Sequence, residues 1–243
     1  MKSCLKCNFN VSISAFFCER CGGKLDHNQE QKYDQNLKDP NIFYNFLDTY
    51  IGTKNNSFHE GQKEAIESTI IPGSKTLVVQ KTGWGKSAVY FIVAKYLKLK
   101  SNKITVIVSP LLSLMKDQIR SVTNNGFLNI QTINSSQEYE NMLDARNNIK
   151  NNNLDILMIS PERFSNSDFE ENIFPKIVNN IGLFVIDEAH CLSQWGHDFR
   201  VDYNLLLRDI LPQLSDETSL LFTTATASEV VIDDLNLYLN IDK

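Results

Sequence analysis

Short apolar runs alternate with longer polar and amphipathic stretches along most of this chain. The clearest runs are residues 76–79, 104–108, 155–159, 183–186 and 220–223. Runs that are apolar throughout and alternate with helical patterns are typical of a parallel sheet covered by helices on both faces. The pattern therefore predicts an α/β fold. In such sheets ligands bind at the carboxyl ends of the strands, so the chemistry is expected just after each run.

The first 39 residues do not follow this pattern. Four cysteines form two CxxC pairs with ten residues between the pairs, at Cys4, Cys7, Cys18 and Cys21. Four thiolates from two such turns can surround Zn²⁺, so residues 1–25 are predicted to form a zinc ribbon. A redox pair or unpaired buried thiols would explain one CxxC pair but would not explain the presence of the second.

Residues 26–39 are polar and are predicted to be a linker. Beyond Pro40 the apolar side chains recur at helical spacing, which predicts a helix that packs on a main domain of residues 40–243. The residues that carry this spacing are Ile42, Phe43, Phe46, Leu47 and Tyr50.

Composition and charge narrow the function classes. A hydrophobic content of 42% in 243 residues is enough for a large core and excludes a disordered chain. The net charge of −5 excludes a histone-like basic coat, so any nucleic-acid contact must come from a local site. No signal peptide is recognisable and no segment approaches the roughly 20 apolar residues that span a bilayer. We therefore expect a cytoplasmic protein without a membrane partner.

A glycine-containing turn, TGWGKS at residues 82–87, lies between an apolar run and a helical pattern. Gly83 and Gly85, after Thr82, let backbone amides form a concave nest for phosphate oxygens. Lys86 can reach the β and γ phosphates of a nucleotide, and Ser87 can ligate Mg²⁺. Gln80 occupies a position where the strict phosphate-loop pattern has glycine, so the match is to the looser GxGK[ST] form.

Two carboxylates follow the fourth apolar run. Asp187 could hold Mg²⁺ together with Ser87, while Glu188 could polarise the attacking water in nucleoside triphosphate hydrolysis. Acidic residues also favour helix starts, but that interpretation does not account for Lys86. A loop with Trp195, Phe199 and Arg200 follows directly, and such side chains suit the stacking of nucleic-acid bases. An isolated aromatic residue is usually buried. Here polar residues separate the aromatic ones, and burial of the whole segment would leave polar groups without hydrogen-bond partners.

Six segments together resemble the first RecA-like motor domain of RecQ-type superfamily 2 DEAH-box DNA helicases, from about residue 58 onward. In the order of that family they are FHEGQ (58–62), TGWGKS (82–87), SPLLSLMKDQ (109–118), SPER (160–163), DEAHCLSQWGHDFR (187–200) and TATA (224–227). The resemblance implies an ATP-dependent 3′–5′ DNA helicase with ATP and Mg²⁺ as cofactors. It also implies single-stranded or partly duplex DNA as the partner, and work in DNA repair and recombination.

The resemblance further assigns residue roles. Gln62 would contact adenine, and His190 would link the DEAH segment to TATA through Thr224 and Thr226. Trp195, Phe199 and Arg200 would sense single-stranded DNA, and Ser109 would help to hold its phosphate backbone. The chain departs from the family at several positions, with larger or different residues at His59, Lys81, Trp84 and Val201. The cysteine cluster precedes the motor domain, whereas the family's own zinc module follows the second motor domain.

A helicase of this class closes its ATP site with a second motor domain, whose arginine is worth roughly 10³ to 10⁵ in turnover. The sequence ends soon after TATA, so we expect weak binding of ATP and slow hydrolysis unless a partner chain supplies that domain. A non-enzymatic adaptor is the alternative, with a zinc ribbon that binds a partner beside an ATP- or DNA-sensing platform. An RNA-directed motor is disfavoured by HCLSQWGHDFR.

Overall fold

The computed structural model describes residues 2–3, 10–11, 37, 39–110, 116–133, 147–149, 153–166, 169–192, 202–203, 205–226 and 232–233. The chain divides into two units, Met1–Ile42 and Phe43–Lys243. In the first unit, β1 (Lys2–Ser3) pairs with β2 (Asn10–Val11) in antiparallel orientation. All four cysteines of the predicted zinc ribbon lie outside the described residues.

The second unit is built on a six-stranded sheet. Its strands are β3 (Lys75–Val79), β4 (Ile104–Val108), β5 (Ile130–Ile133), β6 (Ile156–Ile159), β7 (Ile181–Asp187) and β8 (Ser219–Thr224). They lie in the order β3-β8-β7-β4-β6-β5, and every neighbouring pair is parallel. Both β4 and β6 are buried at every position, which is why their sequences show no polar alternation. The predicted parallel sheet is confirmed.

The helices cover the sheet. They are α1 (Ile42–Ile51), α2 (Gln62–Thr69), α3 (Lys86–Ser101), α4 (Lys116–Asn124) and the single turn α5 (Phe174–Ile177), which continues the helical turns of Phe169–Ile173. The aromatic residues of α1 pack on α3 and on Phe127. Ring centroids of Phe43 and Tyr96 are 5.6 Å apart, and those of Tyr50 and Phe91 are 5.7 Å apart. The predicted docking of this helix on the main domain is confirmed.

Helix α3 carries the phosphate-loop segment into the centre of the domain. Its residues from Ala88 to Ala94 are all buried, so the helix is apolar around most of its circumference. A helix of this kind is stable only when other elements cover it on all sides. Its first turn therefore has a fixed place beside the end of β3. Among the described residues, no helix is both long and apolar enough to cross a membrane.

Candidate active site

The loop between β3 and α3 forms a concave turn at the carboxyl edge of the sheet. Gly83 and Gly85 have φ of 86° and 93°, which lies in the left-handed region that favours glycine. Lys86 begins α3, and its Nζ donates a hydrogen bond to the carbonyl oxygen of Gln80 at 2.7 Å. The amino terminus of a helix attracts anions, because free N–H groups and the helix dipole both point outward. The loop is therefore suited to phosphate.

The side chain of Gln62 joins this loop to the segment before α2. Gln62 is 3% exposed, and its Nε2 donates to the carbonyl oxygens of Trp84 (2.8 Å) and Gly85 (3.2 Å). Its Oε1 accepts a hydrogen bond from the N–H of His59 at 2.8 Å. The amide group thus has protein partners at both ends, and contact with an adenine would require exchange of these bonds. The adenine contact of Gln62 stays a prediction.

Asp187 lies at the end of β7, where two hydroxyl groups hold its carboxylate. Thr223 Oγ1 donates to Oδ1 at 2.5 Å, and Ser109 Oγ lies 3.4 Å from Oδ2. Thr223 is opposite Asp187 in the register of β7 and β8. The two hydroxyl groups fix the orientation of a half-buried carboxylate whose oxygens can still serve a metal ion.

The side chain of Ser109 lies against the carboxylate of Asp187. Its side chain is fully buried and faces Asp187, although a contact with the DNA backbone was expected. A fully buried hydroxyl cannot touch a DNA strand unless the residues above it move. We therefore assign the Ser109 side chain to the carboxylate of Asp187, and its role in DNA binding is left as a prediction.

Glu188 and His190 form a second group beside Asp187. Glu188 has φ of 53°, an unfavourable conformation for a residue with a side chain, and its Oε2 lies 3.2 Å from His190 Nδ1. The same nitrogen lies 3.1 Å from Thr224 Oγ1, whose proton is donated to the carbonyl of Thr226 at 2.7 Å. Because that hydroxyl proton is already used, Nδ1 of His190 carries the proton in this arrangement. The contact agrees with the predicted link through Thr224 and Thr226.

A buried tyrosine connects the phosphate loop to the acidic pair. Burial raises the pKa of Tyr90 well above its ordinary value, the negative charge of Asp187 adds to that rise, and a hydrogen bond with Ser87 opposes it. Tyr90 thus hydrogen-bonds with Ser87 and also feels the charge of Asp187. Burial also raises the pKa of the Cys191 thiol, with Glu188 and Asp187 contributing, which disfavours its thiolate form.

The donor set can be tested against Mg²⁺. No group of three or more His, Cys, Asp or Glu side chains suited to a metal occurs in the part of the chain that the structure describes. Mg²⁺ usually binds one or two carboxylates, waters and substrate phosphates, so it does not require such a cage. One carboxylate, Asp187, and one hydroxyl, Ser87, fit that pattern.

The structure assembles most of the predicted residues at one edge of the sheet. Thr82 and Gly83 are exposed there, and Lys86, Ser87, Asp187, Glu188 and His190 are half-buried. Trp195, Phe199 and Arg200 lie outside the described residues. Sequence reasoning missed Thr223 and Tyr90. Thr223 could have been found, because it ends an apolar run that is expected to lie in the same parallel sheet as the run before Asp187.

Comparison with known proteins shows the family. The model of the DEAD/DEAH box helicase family matches residues 59–235. ATP-dependent DNA helicase RecQ of Pasteurella multocida is 37% identical over 188 residues, which cover 76% of this chain and 28% of that protein. The RecQ helicase of Bacillus subtilis is 37% identical over 186 residues, with coverage of 76% and 30%. ATP-dependent helicase wrn-1 of Caenorhabditis elegans is 31% identical over 230 residues, which cover 94% of this chain and 20% of that protein.

A solved structure supports the fold. The helicase domain of Hef from Pyrococcus furiosus is similar with a TM-score of 0.55 and 18% identity, over 75% of this chain and 36% of that one. At this identity the likeness shows the fold alone, an α/β fold of the RecA-like kind. The chain spans less than a third of the length of the RecQ proteins that it matches. With residues 59–235 matched, this chain belongs to the DEAD/DEAH box helicase family and carries a motor domain of the RecQ type.

Proposed function

We propose that this chain is the ATP-binding part of an ATP-dependent, RecQ-like 3′–5′ DNA helicase, which couples ATP binding and hydrolysis to single-stranded DNA. One observation carries the proposal. The phosphate loop after β3 and the carboxylates after β7 lie on either side of β8, whose Thr223 and Thr224 contact Asp187 and His190. A phosphate-binding turn and an oriented acid pair at one sheet edge are the parts that nucleoside triphosphate hydrolysis needs.

Each residue has a distinct task in this proposal. The amides of the loop and Lys86 hold the phosphates, and Lys86 exchanges its bond to Gln80 for the nucleotide. Ser87 and Asp187 would hold Mg²⁺, which supplies neutralisation of the phosphate charge when it is bound. Glu188 accepts a proton from the attacking water. Its contact with His190 Nδ1 at 3.2 Å fixes the carboxylate in position for that step.

The test of ATP binding compares two lysines of α3. Lys86→Ala should weaken ATP binding roughly 10- to 100-fold, because it removes a charge-assisted contact worth about 1.5–3 kcal/mol. Lys100→Ala is the matched control, since Lys100 is exposed near the other end of the same helix. Calorimetric titration with ATP and Mg²⁺ measures both affinities. Equal affinity of the two variants would reject the nucleotide site, and retained biological function of Lys86→Ala would favour the adaptor.

DNA binding is proposed for Trp195, Phe199 and Arg200, which follow the acid pair by only a few residues in the sequence. Aromatic stacking is worth about 1–3 kcal/mol per base and tolerates any sequence. Trp195→Ala should therefore weaken binding of a fluorescent single-stranded oligonucleotide, measured by anisotropy, while the affinity for ATP alone is unchanged. Competition by unlabelled DNA and RNA separates a DNA motor from an RNA motor. Unaltered oligonucleotide binding would contradict this assignment.

The cysteines are proposed to hold structural Zn²⁺. Two CxxC pairs support this proposal, because their thiolates can complete a tetrahedral shell. Metal analysis of the purified chain should give one zinc ion per molecule, and Cys4→Ser should lower that content. Cys191→Ser is the matched control and should retain full zinc, because Cys191 is a half-buried free thiol beside the acid pair. A zinc-free native chain would refute the ribbon.

A further inference from the structure

Trp84 is an unusual residue at the centre of a phosphate loop. The two glycines on either side give the loop a flexible backbone, and an indole side chain is too large for the nest itself. The side chain is 9% exposed, so it has left the solvent and packs on the protein. What it packs on indicates its role.

The indole contacts the segment that leads into α2. Its Nε1 donates a hydrogen bond to the carbonyl oxygen of Glu60 at 3.2 Å. A Cβ atom on Gly61 would lie 3.8 Å from Cζ2 of the ring, so the ring rests on this glycine. The next residue is Gln62, whose Nε2 donates to the carbonyl oxygen of Trp84. Each segment therefore uses a side chain to bind the backbone of the other.

The direction of these bonds matters for phosphate. In a trans peptide unit the C=O and N–H groups point in opposite directions. When Gln62 holds the carbonyl of Trp84, the N–H of Gly85 in the same peptide unit points away from Gln62. Any nucleotide that draws Gln62 toward its base would release this carbonyl. The bond from Trp84 to Glu60 would then still hold the loop.

We propose that Trp84 is a positioning residue that keeps the phosphate loop in its nest conformation while Gln62 turns to the base. The inference rests on the proposed ATP site and deepens it. Trp84 couples recognition of the base to recognition of the phosphates. Without it, binding of the base would loosen the loop that the phosphates require.

The test uses two ligands, ATP and inorganic tripolyphosphate, each titrated with Mg²⁺ into the full chain by calorimetry. Tripolyphosphate has the phosphates but no base, so Gln62 stays on the loop. Trp84→Ala should lower the affinity for ATP roughly five- to tenfold, about the effect of one lost net hydrogen bond, and change the affinity for tripolyphosphate by less than about twofold. Trp84→Phe keeps a ring on Gly61 and lacks only the N–H donor, so its affinity for ATP should lie between those of Trp84→Ala and the native chain.

Phe127→Leu is the control for loss of stability, since Phe127 is 1% exposed and packs against the aromatic residues of α1. It should leave the ratio of the two affinities unchanged. Equal losses for both ligands in the Trp84 variants, or no loss for either, would overturn the inference. If Trp84→Ala does not fold, the inference is decided by Trp84→Phe, from the ratio of its affinities for ATP and tripolyphosphate. Absence of ATP binding by the native chain would instead overturn the proposed function.

Discussion

Gly83 and Gly85 offer a direct measure of how tightly the phosphate loop is joined to Gln62. Both residues have positive φ, so an alanine at either position should cost about 1–2 kcal/mol in backbone strain. Their surroundings differ. A Cβ on Gly83 would meet no atom within 4 Å, whereas a Cβ on Gly85 would lie 2.6 Å from Nε2 of Gln62. Only Gly85→Ala must therefore displace the Gln62 amide.

The displacement removes the two hydrogen bonds of Nε2 to the loop, worth about 1 kcal/mol each. Gly83→Ala should thus lower the free energy of unfolding by about 1–2 kcal/mol, and Gly85→Ala by about 3–4 kcal/mol. For a domain of this size about 1 kcal/mol corresponds to about 2–4 °C in melting temperature. The expected losses are about 2–8 °C for Gly83→Ala and about 6–16 °C for Gly85→Ala.

Urea and thermal unfolding of the two variants, each alone and combined with Gln62→Ala, measure these losses. In the Gln62→Ala background the clash is absent, so the costs of the two alanines should become equal within about 0.5 kcal/mol. Equal costs in the native background would refute the reasoning. A difference that persists after removal of the Gln62 side chain would refute it as well, because the clash would then have another source.

Three further outcomes follow from the described contacts. Thr223→Val should lower the free energy of unfolding by about 1.5–3 kcal/mol, because it removes a hydrogen bond to the Asp187 carboxylate; Thr223→Ser keeps the hydroxyl, and equal stability of the two variants in urea would contradict this role. Tyr203 has a buried hydroxyl with no hydrogen-bond partner among the described residues, so Tyr203→Phe should be neutral or slightly stabilising at pH 7. Burial raises the pKa of Tyr203 above its ordinary value of 10.0, so the folded chain keeps this proton at a pH where the unfolded chain loses it. The free energy of unfolding is therefore unaffected by this group below pH 10 and falls as the pH rises further. Tyr203→Phe should therefore lose less stability above pH 10 than the native chain does. Identical curves of unfolding free energy against pH for the two chains would contradict a buried Tyr203 hydroxyl. Since the pKa of Cys191 is raised above 9.0, its alkylation, followed by mass spectrometry, should be slower than that of free cysteine at pH 7–9, and an equal rate would show an accessible thiolate.

Much of the fold was predictable because the central strands are buried on both faces. Unbroken apolar runs gave five of the six strands of the sheet. The missed strand, β5 (Ile130–Ile133), is a four-residue edge strand with polar residues at its centre, and such a short segment has no distinctive period. Helix α4 continues to Asn124, because no proline or glycine stops it earlier.

In the site, the sequence predicts which residue types are present but not which of them are in contact. The phosphate loop and the acid pair were found because their residue types and order are specific. The contact of Ser109 with Asp187 depends on β4 lying beside β7, and the partners of Gln62 depend on the path of the loop after β3. The chain order contains neither piece of information. Trp84 was noted as a departure from the family, but its contact with Glu60 required the three-dimensional path of the loop.

The position of β8 between β3 and β7 has a consequence for how the site can evolve. Neighbouring strands are about 4.8 Å apart, so two such spacings place the ends of β3 and β7 about 10 Å from each other. That separation is set by backbone hydrogen bonds and not by any side chain. Substitutions at this edge can alter the affinity for the nucleotide, the charge of the site or the rate of hydrolysis. The distance between the two strand ends from which the phosphate loop and the acid pair project stays constant as long as the sheet is intact.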